Sequence, residues 1–179
     1  YNNRQLGRMI ALVGDAELDE GNVYECLQEG WKHDLRNVWW IIDYNRQSLD
    51  GVVHEGLSER LSSIFLAFDW NLILLKYGKL QEEAFKEPGG DKLKKWIDDC
   101  PNQLYSALIF EGGEVFKKRI LDDIGDQSEV SKLINKRSDS DFLELMSNLG
   151  GHCISTLCEA FNNIKDDKPT AFIAYTIKG

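Results

Sequence analysis

A chain of 179 residues, 42% of them hydrophobic, can bury one substantial core. Its 21 Lys and Arg against 30 Asp and Glu leave a net charge of −9, which argues against a non-specific nucleic-acid surface and an anionic membrane surface. No apolar run approaches the roughly 18 residues of a membrane span, and the four cysteines, Cys26, Cys100, Cys153 and Cys158, form no CxxC pair. Four reduced structural thiols in a cytoplasmic protein are expected.

Met9 to Val13 is a short apolar run stopped by Gly14-Asp15, which reads as a buried strand ending at a loop. Asn22 to Asp34 reads as a helix, with Asn22 as its cap and Glu25 in the reciprocal capping-box position. Val23, Cys26, Leu27, Gly30 and Trp31 would form its inward face. Asn37 opens a second strand, Val38 to Ile42, whose continuous apolar character suits a parallel strand covered on both sides. Trp39 and Trp40 are expected to send one ring toward each helical layer or an interface. The strand stops at Asp43-Tyr44-Asn45. One helix joining two strands is most simply a right-handed βαβ unit, and that unit brings Asp15 and Asn45 out at the same edge of the sheet.

Leu57, Leu61, Ile64, Phe65 and Phe68 mark a second helix, and Asn71 to Leu75 a third strand. From Gly78 to Lys136 the sequence is more charged. Short helices are expected around Leu80 to Phe85, Leu93 to Ile97, Val115 to Leu121 and Val130 to Ile134, broken at Pro88-Gly89-Gly90 and Gly112-Gly113. The runs Lys92–Lys95 and Lys117–Arg119 read as solvated helix faces. Two further helices, Ser138 to Leu149 and Ile154 to Ile164, flank Gly150-Gly151. They turn Phe142, Leu145, Met146 and Leu149, then Leu157, Cys158, Phe161 and Ile164, inward. Ala171 to Ile177 is the last strand. The fold class is α/β, a three-layer arrangement of a parallel sheet flanked by helices, with residues 1–179 in one domain.

Gly14-Asp15-Ala16-Glu17-Leu18-Asp19-Glu20-Gly21 carries four acids within six residues. An acidic loop is commonly a solvated surface feature, but this one follows a strand end, where open α/β sheets bind ligands. An Asp and an Asn at neighbouring strand ends are hard-oxygen ligands suited to Mg²⁺, which completes its octahedron with phosphate oxygens and water. The residues by themselves point to a magnesium–phosphate site of unspecified purpose.

Gly14-Asp15-Ala16, followed after 28 residues (17–44) by Asn45, resembles the diphosphate-binding signature of thiamine-dependent enzymes, which normally reads Gly-Asp-Gly and ends in Asn. Ala11 to Glu20, Asn45-Arg46-Gln47-Ser48-Leu49-Asp50-Gly51, Gly150-Gly151-His152 and Ala174-Tyr175-Thr176-Ile177-Lys178-Gly179 are together similar to the homodimeric pyruvate dehydrogenase E1 family. The resemblance runs in order through nearly the whole chain. It implies a thiamine-diphosphate-binding fold, here part of a larger chain, with Gly14, Asp15, Ala16, Glu17, Asn45 and Gln47 holding thiamine diphosphate. Asp15, the Asn45 side chain and the Gln47 backbone oxygen would ligate Mg²⁺, and Glu20 would lie near the dimer interface. It also implies a second E1 subunit, a lipoyl-bearing E2 acyltransferase and a small 2-oxoacid as partners. A transketolase-like ketol transfer and a non-catalytic assembly domain are the alternatives.

Ala16 departs from the signature, since any left-handed backbone there would carry about 1–2 kcal/mol of strain. The family's activating glutamate belongs to another domain and its substrate-side histidines follow the terminal strand, so the segment alone is expected to be catalytically silent. Of the three histidines, His33 reads as a surface residue near a helix end, His54 as a neighbour of the magnesium loop, and His152 as structural. Their spacing gives no zinc cluster.

Overall fold

A computed structural model describes residues 7–45, 47–48, 51–52, 56–125 and 128–177. Its main sheet has four parallel strands in the order β1-β2-β6-β5: β1 Met9–Gly14, β2 Val38–Tyr44, β5 Asn71–Leu75 and β6 Thr170–Tyr175. A short antiparallel ladder, β3 Gln47–Ser48 with β4 Gly51–Val52, follows β2. Helix α1 (Gly21–Lys32) connects β1 to β2, and α2 (Leu57–Ala67) leads into β5. Among the described residues, seven helices then separate β5 from β6: α3 Lys79–Ala84, α4 Gly90–Asp99, α5 Asn102–Glu111, α6 Gly113–Ile124, α7 Ser128–Asn135, α8 Asp139–Ser147 and α9 Ile154–Asn163.

Strand side chains alternate between two faces. On one face Ile42, Ala171 and Ile173 join Leu27 of α1 and Leu61 and Phe65 of α2 in the larger core. On the other, Trp39, Phe172 and Leu75 meet Leu157, Phe161 and Ile164 from α9 and its end. The paired tryptophans divide as expected: Trp39 stacks on Phe161 at 5.4 Å, while Trp40 meets Phe65 edge-on at 5.9 Å and Trp70 at 5.2 Å. The larger core continues into the helical insertion, where Phe116 is fully buried among Trp96, Tyr105 and Phe142.

Several expectations need correction. The first strand is not buried: among the described residues β1 has a strand neighbour on one side only, and Met9, Ile10 and Leu12 are exposed. Helix α1 is capped by Glu20, with no side-chain cap bond, because the preceding turn runs straight into it; Asn22 lies inside the helix. Its buried residue is Leu27, flanked by partly buried Val23 and Tyr24, whereas Cys26 and Trp31 face outward. Cys158 also points outward from α9, leaving only Cys100 and Cys153 as buried thiols. Lys117 is not solvated: its side chain is 12% exposed, pairs with Asp139 at 2.7 Å and donates to the Arg137 carbonyl at 2.6 Å, tying α6 to the start of α8. Helix α5 has no counterpart among the sequence-based expectations.

Candidate functional site

The register pairs Gly14 with Asp43, so the chain leaves β1 at Asp15 where β2 runs out through Tyr44 to Asn45. Adjacent strands lie about 4.8 Å apart, and the expectation that Asp15 and Asn45 share one edge holds at the level of the backbone. From Asp15 to Asp19 the chain winds into a 3₁₀ turn anchored by buried Leu18. The four acids separate here. Asp15 is 4% exposed, while Glu17, Asp19 and Glu20 face solvent. Most of the acidic loop is therefore the solvated surface that its composition suggests, and Asp15 is the exception.

Gly14 itself has ordinary extended angles, φ −75° and ψ 153°. A Cβ built on it would meet only Glu17 Oε1, at 3.9 Å. Ala16 sits inside the turn and is not among the residues with positive φ. The left-handed strain that the missing glycine would otherwise bring does not arise.

Beyond β2, β3 packs against the same turn, bringing the backbone of Gln47 to this edge. The Gln47 side chain, Arg46, His54 and Lys178 lie outside the described residues. Asn45 is held by a residue to which the sequence reading gave no role: its Nδ2 donates to Asp43 Oδ2 at 3.4 Å, while the Thr176 hydroxyl donates to Asp43 Oδ1. The Thr176 N–H in turn donates to the Tyr44 carbonyl at 3.1 Å. Asp43 thus laces the end of β2 to the chain leaving β6. With the Asn45 nitrogen turned to Asp43, its carbonyl oxygen points to the opposite side of the amide. The available signal was period two: an acid two residues before Asn45 on a strand shares its face.

The Gly150-Gly151-His152 segment is a close-packed seam at the same edge. Gly150 donates its N–H to the Lys76 carbonyl at 3.1 Å and Gly151 to the Tyr175 carbonyl at 2.9 Å. A Cβ at Gly150 would stand 2.2 Å from the Leu75 carbonyl oxygen, and one at Gly151 2.5 Å from Thr176 Cγ2. His152 Nε2 accepts the Ile177 N–H at 2.9 Å, a structural role, as expected. His33 lies at the exposed end of α1, 3.5 Å from Glu29.

A small polar cavity of about 80 Å³ opens beside the ends of β2 and β6, bordered by Tyr44, Ser58, Lys76, Asp98 and Tyr175. Asp98 accepts from both Lys76 and Tyr77. Burial first, then the Asp98 carboxylate, pushes the Tyr77 phenol well above its usual value, so it remains a hydrogen-bond donor.

Among the described residues, no group of three or more His, Cys, Asp or Glu side chains converges as a metal site. A cation at this edge would rest on one carboxylate supplemented by neutral oxygens, a donor set that suits Mg²⁺ carried in with a phosphate better than Zn²⁺. No helix of the described residues is long and apolar enough to cross a membrane.

No protein-family model matches the chain. It is similar to proteins named pyruvate dehydrogenase E1 component: 28% identical over 175 residues to that of Buchnera aphidicola subsp. Schizaphis graminum, covering 96% of this chain and 19% of the relative. The Escherichia coli K12 protein is 26% identical over 175 residues, with 96% and 19% covered. That of Corynebacterium glutamicum is 24% identical over 173 residues, with 94% and 18% covered. The chain spans about a fifth of the length of these curated relatives, and its similarity to bacterial pyruvate dehydrogenase E1 components is distant and partial.

Proposed function

We propose that residues 1–179 supply the Mg²⁺–diphosphate end of a thiamine-diphosphate site in a longer, pyruvate-type 2-oxoacid dehydrogenase E1. The observation that carries this reading is the buried Asp15 carboxylate at the end of β1, beside an Asn45 whose amide is oriented by Asp43. Asp15 would provide the anionic ligand to the ion, Asn45 its amide oxygen and Gln47 its backbone oxygen. Gly14, Ala16 and Glu17 would border the diphosphate, and Glu20 would face the second subunit. When bound, thiamine diphosphate supplies the carbanion chemistry that releases carbon dioxide from a 2-oxoacid, leaving an acyl unit for a lipoyl-bearing E2. The chain's own residues hold and neutralise the phosphate end; the groups that activate the cofactor lie elsewhere in the parent.

The test is titration of the full-length parent and its Asp15→Ala variant with thiamine diphosphate in the presence of Mg²⁺. The parent should bind saturably and only with metal, and Asp15→Ala should lose that binding and 2-oxoacid turnover. Near-normal metal-dependent affinity in the variant removes the assignment. Absence of binding in a well-folded parent favours an assembly domain, and turnover of ketose phosphate in place of 2-oxoacid favours a transketolase-like enzyme.

A further inference from the structure

The larger cavity lies at the other end of the sheet. It measures about 380 Å³, within the range of small-ligand pockets, and opens where β2, β5 and β6 begin. There the Asn37 N–H donates to the Asp167 carbonyl at 2.7 Å and the Asn71 N–H to the Pro169 carbonyl at 2.8 Å. Strands of five to seven residues separate it from the Asp15–Asn45 edge by about 20 Å. An occupant here would not compete with a ligand there.

Its walls are aromatic: Trp31, Phe68 and Trp70 line it, with Leu35 beside them. Trp70 is fixed by edge-on contacts with Trp40 and a tilted one with Phe65. Trp31 is 59% exposed and Leu35 47% exposed. Together they give the cavity mouth an exposed apolar rim beside the buried Trp70.

The charge around these walls is negative. Asp34, Asp69, Asp166 and Asp167 border the cavity against Arg36 and Lys168, an excess of two acids. Both bases are already engaged: Arg36 bridges Asp34 and Asp167, each at 3.1 Å, and Lys168 lies 3.6 Å from Asp69. The Asp166 carboxylate accepts from neutral donors, the Asn71 amide at 3.1 Å and the Lys168 backbone N–H at 3.2 Å, while its backbone carbonyl accepts from the Arg8 guanidinium at 3.3 Å. Helices α1, α2 and α9 all end at this edge, directing the negative ends of their dipoles toward it. Side-chain charge and backbone dipoles therefore have the same sign, around rings whose faces attract cations.

We propose that this cavity is a binding site for an organic cation, an alkylguanidinium or alkylammonium group on a short aliphatic stem. The stem would lie along Leu35 and the rings, with the head group toward the carboxylates. The site is independent of the cofactor reading, and its test leaves that reading untouched.

The experiment titrates the protein with a short arginine-containing peptide, its citrulline counterpart and free agmatine, following tryptophan fluorescence and heat. The arginine peptide should bind at least about tenfold more tightly than the citrulline peptide, which keeps shape and removes charge, and should weaken as salt is raised. Trp31→Ala, at an exposed position safe for folding, should cost about tenfold. Asp166→Asn, which keeps an acceptor for Asn71, should cost several-fold. Agmatine matching the peptide identifies a free amine as the natural occupant; a peptide much tighter than agmatine identifies a basic segment of a partner protein. Either supports the site. Equal binding of the citrulline peptide, an unaltered affinity in Trp31→Ala, or no binding of either cation up to about 10 mM overturns it.

Discussion

Replacing Gly150 by Ala tests whether the seam between β5 and β6 is as tight as the geometry requires. The added methyl would stand 2.2 Å from the Leu75 carbonyl oxygen and 2.4 Å from its carbon, where real Cβ contacts essentially never fall under 3.0 Å. The seam must therefore open by about 0.8 Å, the difference between 3.0 and 2.2 Å, against backbone that cannot rotate away. Overpacking of this kind costs about 1–3 kcal/mol. Stretching the Gly150 N–H bond to the Lys76 carbonyl, now 3.1 Å, adds about 1 kcal/mol. A total of about 2–4 kcal/mol corresponds, for a chain of this size, to a midpoint lowered by about 5–15 °C. Urea and thermal unfolding would measure it, with Gly30→Ala as the control. There a Cβ meets only the Leu35 side chain, at 3.7 Å or more, and the gain in helix propensity is about 0.5–1 kcal/mol. A Gly150→Ala protein as stable as the parent, or no more destabilised than the Gly30→Ala control, refutes the argument.

Two further outcomes are expected. Burial pushes the Glu87 carboxyl up, but Lys136 and Arg137 together hold it below the usual carboxylate range. A depressed folded-state pKa contributes stability above the unfolded value of about 4.3, and that contribution disappears as pH falls through the folded value. Glu87→Gln should therefore be less stable by about 0.5–1 kcal/mol at neutral pH and approach the parent in strong acid; a pH-independent difference in urea midpoints would contradict this. In the full-length parent, Asp43→Ala should weaken metal-dependent thiamine diphosphate binding about tenfold by releasing Asn45 and Thr176, whereas Asp43→Asn, which retains an acceptor, should recover part of it. Unaltered affinity in Asp43→Ala removes the positioning role.

What could be read from the sequence depended on how local the determining physics is. The apolar runs of β2 and β5, and the single helix between β1 and β2, made the shared edge of Asp15 and Asn45 legible, because parallel neighbours joined by one helix must end together. Helix α5 was missed because Leu104, Tyr105, Ala107, Leu108, Ile109 and Phe110 surround the helix without forming one stripe, and Phe110 is 94% exposed. The outward Trp31 and Cys158 show that periodicity gives the spacing of a face, while its width depends on what packs against it. The exposure of β1 and the role of Asp43 both rest on distant neighbours. Nothing in residues 9–14 announces an edge strand, and Thr176, which fixes Asp43, lies 133 residues further along.

The position of β6 also bears on how the chain acquires this form. The last strand among the described residues is an interior strand of the sheet, and all six of its residues are buried. Until residues 170–175 are available, β2 and β5 have no shared neighbour, and the two-stranded β1–β2 piece is marginal alone. The intervening residues 45–169 number 125, which at about 5–20 residues per second take roughly 6–25 s to synthesise. Throughout that interval the unpaired margin of β2, joined after residue 75 by that of β5, offers open hydrogen-bonding groups to other nascent chains. Closing the sheet then means threading one strand between two pieces already in place, a high-contact-order step. Truncations that stop short of Thr170 should accordingly behave as chaperone clients and aggregate, even though every residue proposed to touch magnesium or diphosphate would already have been made.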